Sequence, residues 1–150
     1  YKHAKASGIE DKISRKLAFA PHINIGVFSL EKNSKCWEVW QKNLEKTLSK
    51  GKVFGSEGLA INIAVYHDNV PVEFLPLKCN WITSHLLPKY DVQNDTFVEP
   101  YLPNDRIGII HLAAGLWKNN KDMRLNKDIK IELKTLDGKT VDKSLRFGIK

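Results

Sequence analysis

The sequence predicts an α/β fold that ends in a C-terminal β-hairpin, and three observations carry this expectation. Two short runs, INIGVFSL at 23–30 and IGIIHL at 107–112, are apolar and β-branched, as buried strands are. Between them lie two stretches with helix-start signals and runs of apolar residues, at 33–50 and 56–67. Beyond them, 128–136 and 140–149 alternate in polarity on either side of Asp137-Gly138, the pattern of two strands joined by a tight turn.

The elements follow in order. Residues 1–20 are Lys-rich, with sparse apolar positions at Ile9, Ile13, Leu17 and Phe19, and read as a short helix or an ordered loop ending at Pro21. After the strand at 23–30, Asn33 and Ser34 are N-cap candidates for a helix running to about Lys50. Trp37, Trp40, Leu44 and Leu48 fall at steps of three and four, giving that helix one apolar face, and Gly51 supplies its stop. Ser56 can cap a second helix from Glu57 to about His67, apolar nearly all round and therefore largely buried. A strand is the competing reading of INIAVY, because periodicity does not separate the two over so short a run. Val72 to Leu77 reads as a short edge strand, and 82–106, with three prolines, as a long loop.

Composition narrows the function classes. At about 100–200 residues per domain, 150 residues predict one domain, enough to form a core without a metal or disulfide staple. No apolar run reaches the roughly 18–20 residues of a membrane span, and residues 1–20 contain no signal-peptide core. The net charge of +7 is split between the ends: 10 basic and 5 acidic residues in 1–50, 9 and 5 in 119–150, but 5 and 7 in 51–118. Lysine interspersed with Asp and Glu reads as solvated surface rather than a phosphate track, so nucleic acid is not the expected partner. Cys36 and Cys79 form no CxxC or zinc spacing and sit beside Trp37 and Trp81; buried thiols in a reducing cytoplasm are expected.

The sequence has no glycine-rich phosphate loop, GxSxG, HExxH or Asp-x-Asp. What stands out is a series of polar residues set into apolar segments: Asn24, Asn62, Asn80 before Trp81, and His111 followed by Gly115 and Lys118. Taken in order, the series resembles GT-A fold glycosyltransferases, especially the retaining family-8 group. HINIGVFSLE is similar to that family's "N-x-G-V" strand, and KCWEVWQKNL to the Trp-containing helix after it. Glu57 to Asn62 (EGLAIN) resembles the "D-Q-x-x-L-N" helix start, and Leu75-Pro76 with Asn80-Trp81 the "L-P…W-N" segment. Ile109 to Leu112, with Gly115 and Lys118, is similar to "I-I-H-x-x-G-x-x-K", and the likeness spans roughly residues 20–118.

The resemblance implies a partial GT-A sheet with helices, and it implies roles. His111 would be a ligand to a divalent metal, Mn²⁺ or Mg²⁺, held against a sugar-nucleotide diphosphate. Gly115 and Lys118 would approach that diphosphate, and Glu57 would contact the transferred sugar as the catalytic carboxylate. Asn24, Gly26, Asn62, Asn80 and Trp81 would line the acceptor and sugar side. The sequence departs from the pattern in having Gly58 in place of glutamine and Glu57 in place of aspartate. It also has one extra residue between His111 and each of Gly115 and Lys118, and Asn119-Asn120 where Pro-Trp is usual. It contains no nucleotide-binding half either. The expected organisation is an N-terminal arm or helix at 1–20, a glycosyltransferase-like core at 21–118, and a hairpin appendage at 119–150. The expected function is the acceptor-side, C-terminal part of a hexose-transferring enzyme, the start at Tyr1 reading as that of a fragment or trimmed product. The hairpin is expected to act as an accessory lid or oligomer contact. The alternative is a non-catalytic carbohydrate-binding or interaction module, with Trp81, Tyr90 and Tyr101 around the long loop as its stacking surface; polyanion binding by the lysine-rich ends is a third.

Overall fold

Helix α4 (Ser56–Tyr66) organises the first of two compact units, Tyr1–Phe74 and Leu75–Lys150. The computed structural model describes residues 2–53, 55–112, 117–118, 121–122 and 129–146. The chain is mixed α/β, with four helices and small two-stranded sheets among the described residues.

In the first unit α1 (Lys2–Ala6) and α2 (Asp11–Phe19) lead into α3 (Cys36–Leu48) and then α4. The all-round apolar character of α4 has a simple cause: it serves two cores. Leu59 and Ile63 pack with Ala4, Ile9 and Ile13, while Ile61 and Ala64 pack with Cys36 and the half-buried Ile25, Leu30, Val39, Trp40 and Val70. Each large side chain buried this way is worth about 1.5–3 kcal/mol. The helix therefore prevails over the competing strand for INIAVY.

The apolar face expected for α3 is buried only in part, through the half-buried Trp40 and Leu44. Cys36, Asn43 and Thr47 are buried, while Trp37 and Leu48 are exposed. Thr47 donates its hydroxyl to Leu44 O at 2.9 Å, and Asn43 Nδ2 donates to Asp68 Oδ2 at 2.6 Å. Their polar groups are satisfied within the unit, which makes their burial affordable. At the far end Gly51 leaves no room for a side chain, since a Cβ there would run into Thr47 O and Ser7 Oγ.

The strand expected at 23–30 does not form. A strand needs a ladder partner, and Ile23 instead finds a helix side chain: its N–H and C=O are both bonded to Asn62. The strand expected at 72–77 is also absent, giving way to an irregular segment and a 3₁₀ turn at Leu77–Cys79.

The second unit holds the β structure. The strand expected at 107–112 shortens to β4 (Ile110–His111), which pairs in parallel with β1 (Trp81–Ile82). The stretch expected to be a long loop carries an antiparallel hairpin, β2 (Lys89–Asp91) with β3 (Thr96–Val98). Asp91 shapes its turn by accepting from the N–H groups of Gln93 and Asn94. β5 (Trp117–Lys118) and β6 (Lys121–Asp122) form a further pair.

The C-terminal hairpin forms over β7 (Ile131–Lys134) and β8 (Thr140–Lys143), closed by Thr135 N–H to Lys139 O and Gly138 N–H to Thr135 O. Gly138 has φ +84°, so the loop is a three-residue turn ending in a left-handed glycine. Trp81, Tyr90, Phe97, Ile107, Ile131, Leu133 and Leu145 make this unit's core. No helix among the described residues is long and apolar enough to cross a membrane.

Candidate functional site

A cavity of about 420 Å³ in the first unit is lined by His3, His22, Ile23, Asn24, Ile25, Gly55, Glu57 and Gly58. One wall is the 22–25 segment and another the N-terminal turn of α4. Three hydrogen bonds fix the segment to the helix: the Tyr66 hydroxyl donates to Pro21 O at 2.7 Å, and the Asn62 carboxamide grips both backbone groups of Ile23. Asn24 Oδ1 accepts from Gly26 N–H at 2.8 Å, an Asx turn that bends the chain over the cavity wall. On the opposite side Gly55, with φ +84°, carries the chain into α4, and His3 Nε2 lies 3.4 Å from where a Gly55 Cβ would stand.

Glu57 is exposed, and its backbone carbonyl accepts from Trp40 Nε1 at 3.1 Å. Gly58 opens the cavity, since a Cβ at that position would meet nothing within 4 Å. The lining thus offers one carboxylate, two imidazoles and a carboxamide beside the apolar Ile23 and Ile25.

The sequence-expected residues divide into those that share a site and those that support one. Asn24 and Glu57 share the cavity, and Gly26 follows on the same turn. Asn62 stands behind it: Oδ1 accepts from Ile23 N–H at 3.0 Å, and Nδ2 donates to Ile23 O at 3.2 Å and Gly58 O at 2.7 Å. It holds the wall rather than facing a ligand. His3 and His22 were missed from sequence; nothing in the Lys-rich first helix marks His3 as a lining residue.

In the second unit Asn80 and His111 come together, Asn80 Oδ1 lying 2.9 Å from His111 Nδ1. The sugar-stacking face expected of Trp81 is not available. Its ring is 5% exposed within the core, and its Nε1 donates to Leu86 O at 2.9 Å. Tyr90 is buried as well, leaving Tyr101 as the exposed ring of the expected stacking trio. Lys118 lies in β5, opposite Lys121, and Gly115 lies outside the described residues. Both cysteines are free thiols, and burial pushes that of Cys36 up.

For the divalent metal implied by the resemblance, the described residues offer a single imidazole, that of His111, which does not make a metal site. With Nδ1 facing the Asn80 oxygen, His111 has Nε2 to offer. Among the described residues no group of three or more His, Cys, Asp or Glu could hold a metal ion. A separate aromatic cluster also escaped the sequence reading. Trp37 and Trp40 stack at 5.9 Å with Phe28 edge-on to both, and Phe28 and Trp37 are exposed.

Comparison with protein-family models, curated proteins and solved structures finds no match.

Proposed function

We propose that this chain supplies the acceptor-side portion of a sugar-nucleotide-dependent glycosyltransferase on a partial GT-A fold, transferring a hexose to a hydroxyl of a glycan or other acceptor. The observation that carries this reading is the shared cavity. Asn24 and Glu57, 33 residues apart, are the positions the resemblance ties to acceptor and transferred sugar, and both line one volume of about 420 Å³. That volume falls within the roughly 300–1,000 Å³ of small-molecule sites. Glu57 accepts hydrogen bonds from hydroxyls of the sugar and stabilises positive charge developing at the reacting carbon. By the resemblance, His111 would be a ligand to the metal, and Gly115 and Lys118 would serve the diphosphate. A divalent cation, Mn²⁺ or Mg²⁺, would supply Lewis-acid stabilisation of the departing diphosphate there. The sequence holds no Asp-x-Asp.

The test is Mn²⁺-dependent turnover of a panel of uridine- and guanosine-diphosphate hexoses by the protein carrying this chain, compared with Glu57→Gln and His111→Ala. Each variant is expected to lose about 100-fold or more in kcat. Turnover unchanged in both would remove the assignment.

The second reading is a non-catalytic carbohydrate-binding module, and the Phe28–Trp37–Trp40 cluster, in which Phe28 and Trp37 are exposed, favours it. Flat indoles whose N–H groups are tied to backbone, Trp37 Nε1 to Glu31 O at 3.0 Å and Trp40 Nε1 to Glu57 O, are held still for stacking. Glycan binding lost in Trp37→Ala, without sugar-nucleotide turnover by the wild type, decides for it.

A further inference from the structure

We infer that a second cavity in the first unit, among α2, α3 and the end of α4, binds a small amphipathic monoanion: a short aliphatic chain ending in a carboxylate. The cavity holds about 470 Å³, a volume typical of small-molecule sites. It exists because α2 and α3 each pack on α4 but not closely on one another, which leaves room between them. Each helix gives it one face. Val39, Lys42, Asn43 and Lys46 follow at steps of three and one along α3, so they share a side. Ile9 and Ile13, at the entry to α2, and Ile63 on α4 line it from the buried core. These three isoleucines, with Val39, make the apolar surface on which the chain of a ligand would lie.

The charges around that surface do not cancel. His67 and Asp68 line the cavity past the end of α4, and Asp68 is engaged by Asn43, whose Nδ2 donates to Oδ2 at 2.6 Å. Lys46 Nζ meets Glu10 Oε1 only at 3.8 Å, the outer limit of an ion pair. Lys42 has no ion-pair or hydrogen-bond partner among the described residues. With His67 neutral, two ammonium groups against one carboxylate leave the lining with one positive charge. Lysines one turn apart on a helix also repel each other. A carboxylate seated between Lys42 and Lys46 relieves that repulsion, taking the place of the loosely held Glu10 on Lys46 and giving Lys42 a partner. The transferase chemistry proposed above uses none of these residues.

The experiment is a ¹H–¹⁵N titration of the labelled chain with hexanoate, run beside 1-hexanol and acetate, which carry the chain or the charge alone. Hexanoate is expected to bind saturably and to shift the amides of Ile13, Val39, Lys42 and Ile63. Its affinity should exceed that of either control by about 10-fold or more, as a charge-assisted hydrogen bond adds to the apolar contact. The double variant Lys42→Gln, Lys46→Gln changes two exposed side chains, and unchanged amide shifts at Ala60 and Ile61 show that it has folded. It is expected to bind hexanoate only as weakly as hexanol, with its affinity for hexanol unaltered. Hexanoate binding no tighter than hexanol in the wild type would mean that the lysines only cover the isoleucines with their stems, and would overturn the inference. Shifts scattered over the lysine-rich surface instead of the cavity, or a double variant that binds hexanoate as the wild type does, would overturn it as well.

Discussion

Asn62 and Ile23 form a two-way pair: the carboxamide oxygen accepts from the Ile23 N–H at 3.0 Å, and the carboxamide nitrogen donates to the Ile23 carbonyl at 3.2 Å. The side chain thus does for the 22–25 segment what a neighbouring strand would do, and one wall of the cavity hangs on it. Asn62 is 4% exposed, so removing it strands buried polar groups rather than releasing them to water. Asn62→Leu is expected to cost about 2–3 kcal/mol in urea unfolding. The amide of Ile23 should also lose its protection from hydrogen exchange. Full protection of that amide in the variant would mean the pair does not hold the segment.

Two glycines make opposite predictions. Gly58 is helical and a Cβ there would meet nothing, so Gly58→Ala is expected to stabilise the chain by about 0.5–1 kcal/mol. Gly51 has Thr47 O and Ser7 Oγ against the place a Cβ would take, so Gly51→Ala is expected to destabilise by about 1–3 kcal/mol. Thermal melts of the two variants read the difference directly. Gly58→Ala also narrows the cavity. Under the proposed function it should raise the KM for the sugar nucleotide while the melting temperature rises. A stabilised variant with unaltered KM would show that no ligand passes over Gly58.

The helices were legible in the sequence because their signals are local. Ser34 does accept from the Cys36 N–H at 3.2 Å at the start of α3, but Ser56 is the first residue of α4 rather than its cap: Gly55 takes the cap position and the Ser56 hydroxyl donates to Lys52 O. The Asp137-Gly138 hairpin was legible for the same reason. The strands at 23–30 and 72–77 were misread because β-branched apolar runs report burial, not pairing. Burial at 23–30 comes from α4 and a carboxamide, which no periodicity encodes. The loop at 82–106 hid a hairpin because its strands, KYD and TFV, are only three residues long. At the site, the nearness of Asn24 and Glu57 was suggested only by the order of motifs. His3 carried no signal at all, since its place depends on how α1 folds against its unit.

The second unit's core predicts its own weak point. Leu133 on β7 is 2% exposed and packs with Tyr90, Phe97 and Ile131. Leu133→Ala leaves a cavity there and is expected to cost about 2–5 kcal/mol. The neighbouring Leu136 is 44% exposed in the turn, so Leu136→Ala is expected to stay within about 0.5 kcal/mol. Equal costs for the two in chemical denaturation would contradict the assigned register, which sends Ile131 and Leu133 inward and Glu132 and Lys134 outward.

Asp137 ties the stability of that hairpin to acid. Its carboxylate accepts from the Thr135 hydroxyl, pairs with Lys139 Nζ at 2.9 Å and accepts weakly from the Lys139 N–H. The Thr135 hydroxyl and then Lys139 hold its pKa down to about 2 from an ordinary 3.8. A carboxyl whose pKa is lowered by folding stabilises the fold in its ionised form. That contribution is present above pH 3.8 and is lost as pH falls through about 2. Because the group is solvent-exposed, the effect should be local: the turn loosens while the core of the unit stays folded. A carbon-detected titration should give an Asp137 midpoint near 2, with the Gly138 and Lys139 amides shifting in step. In Asp137→Asn those amide shifts should lose their acid dependence. Thr135→Val should raise the midpoint toward 3.8, since it removes the largest cause of the shift. An Asp137 midpoint near 3.8 in the wild type would mean the turn is not held by its own carboxylate.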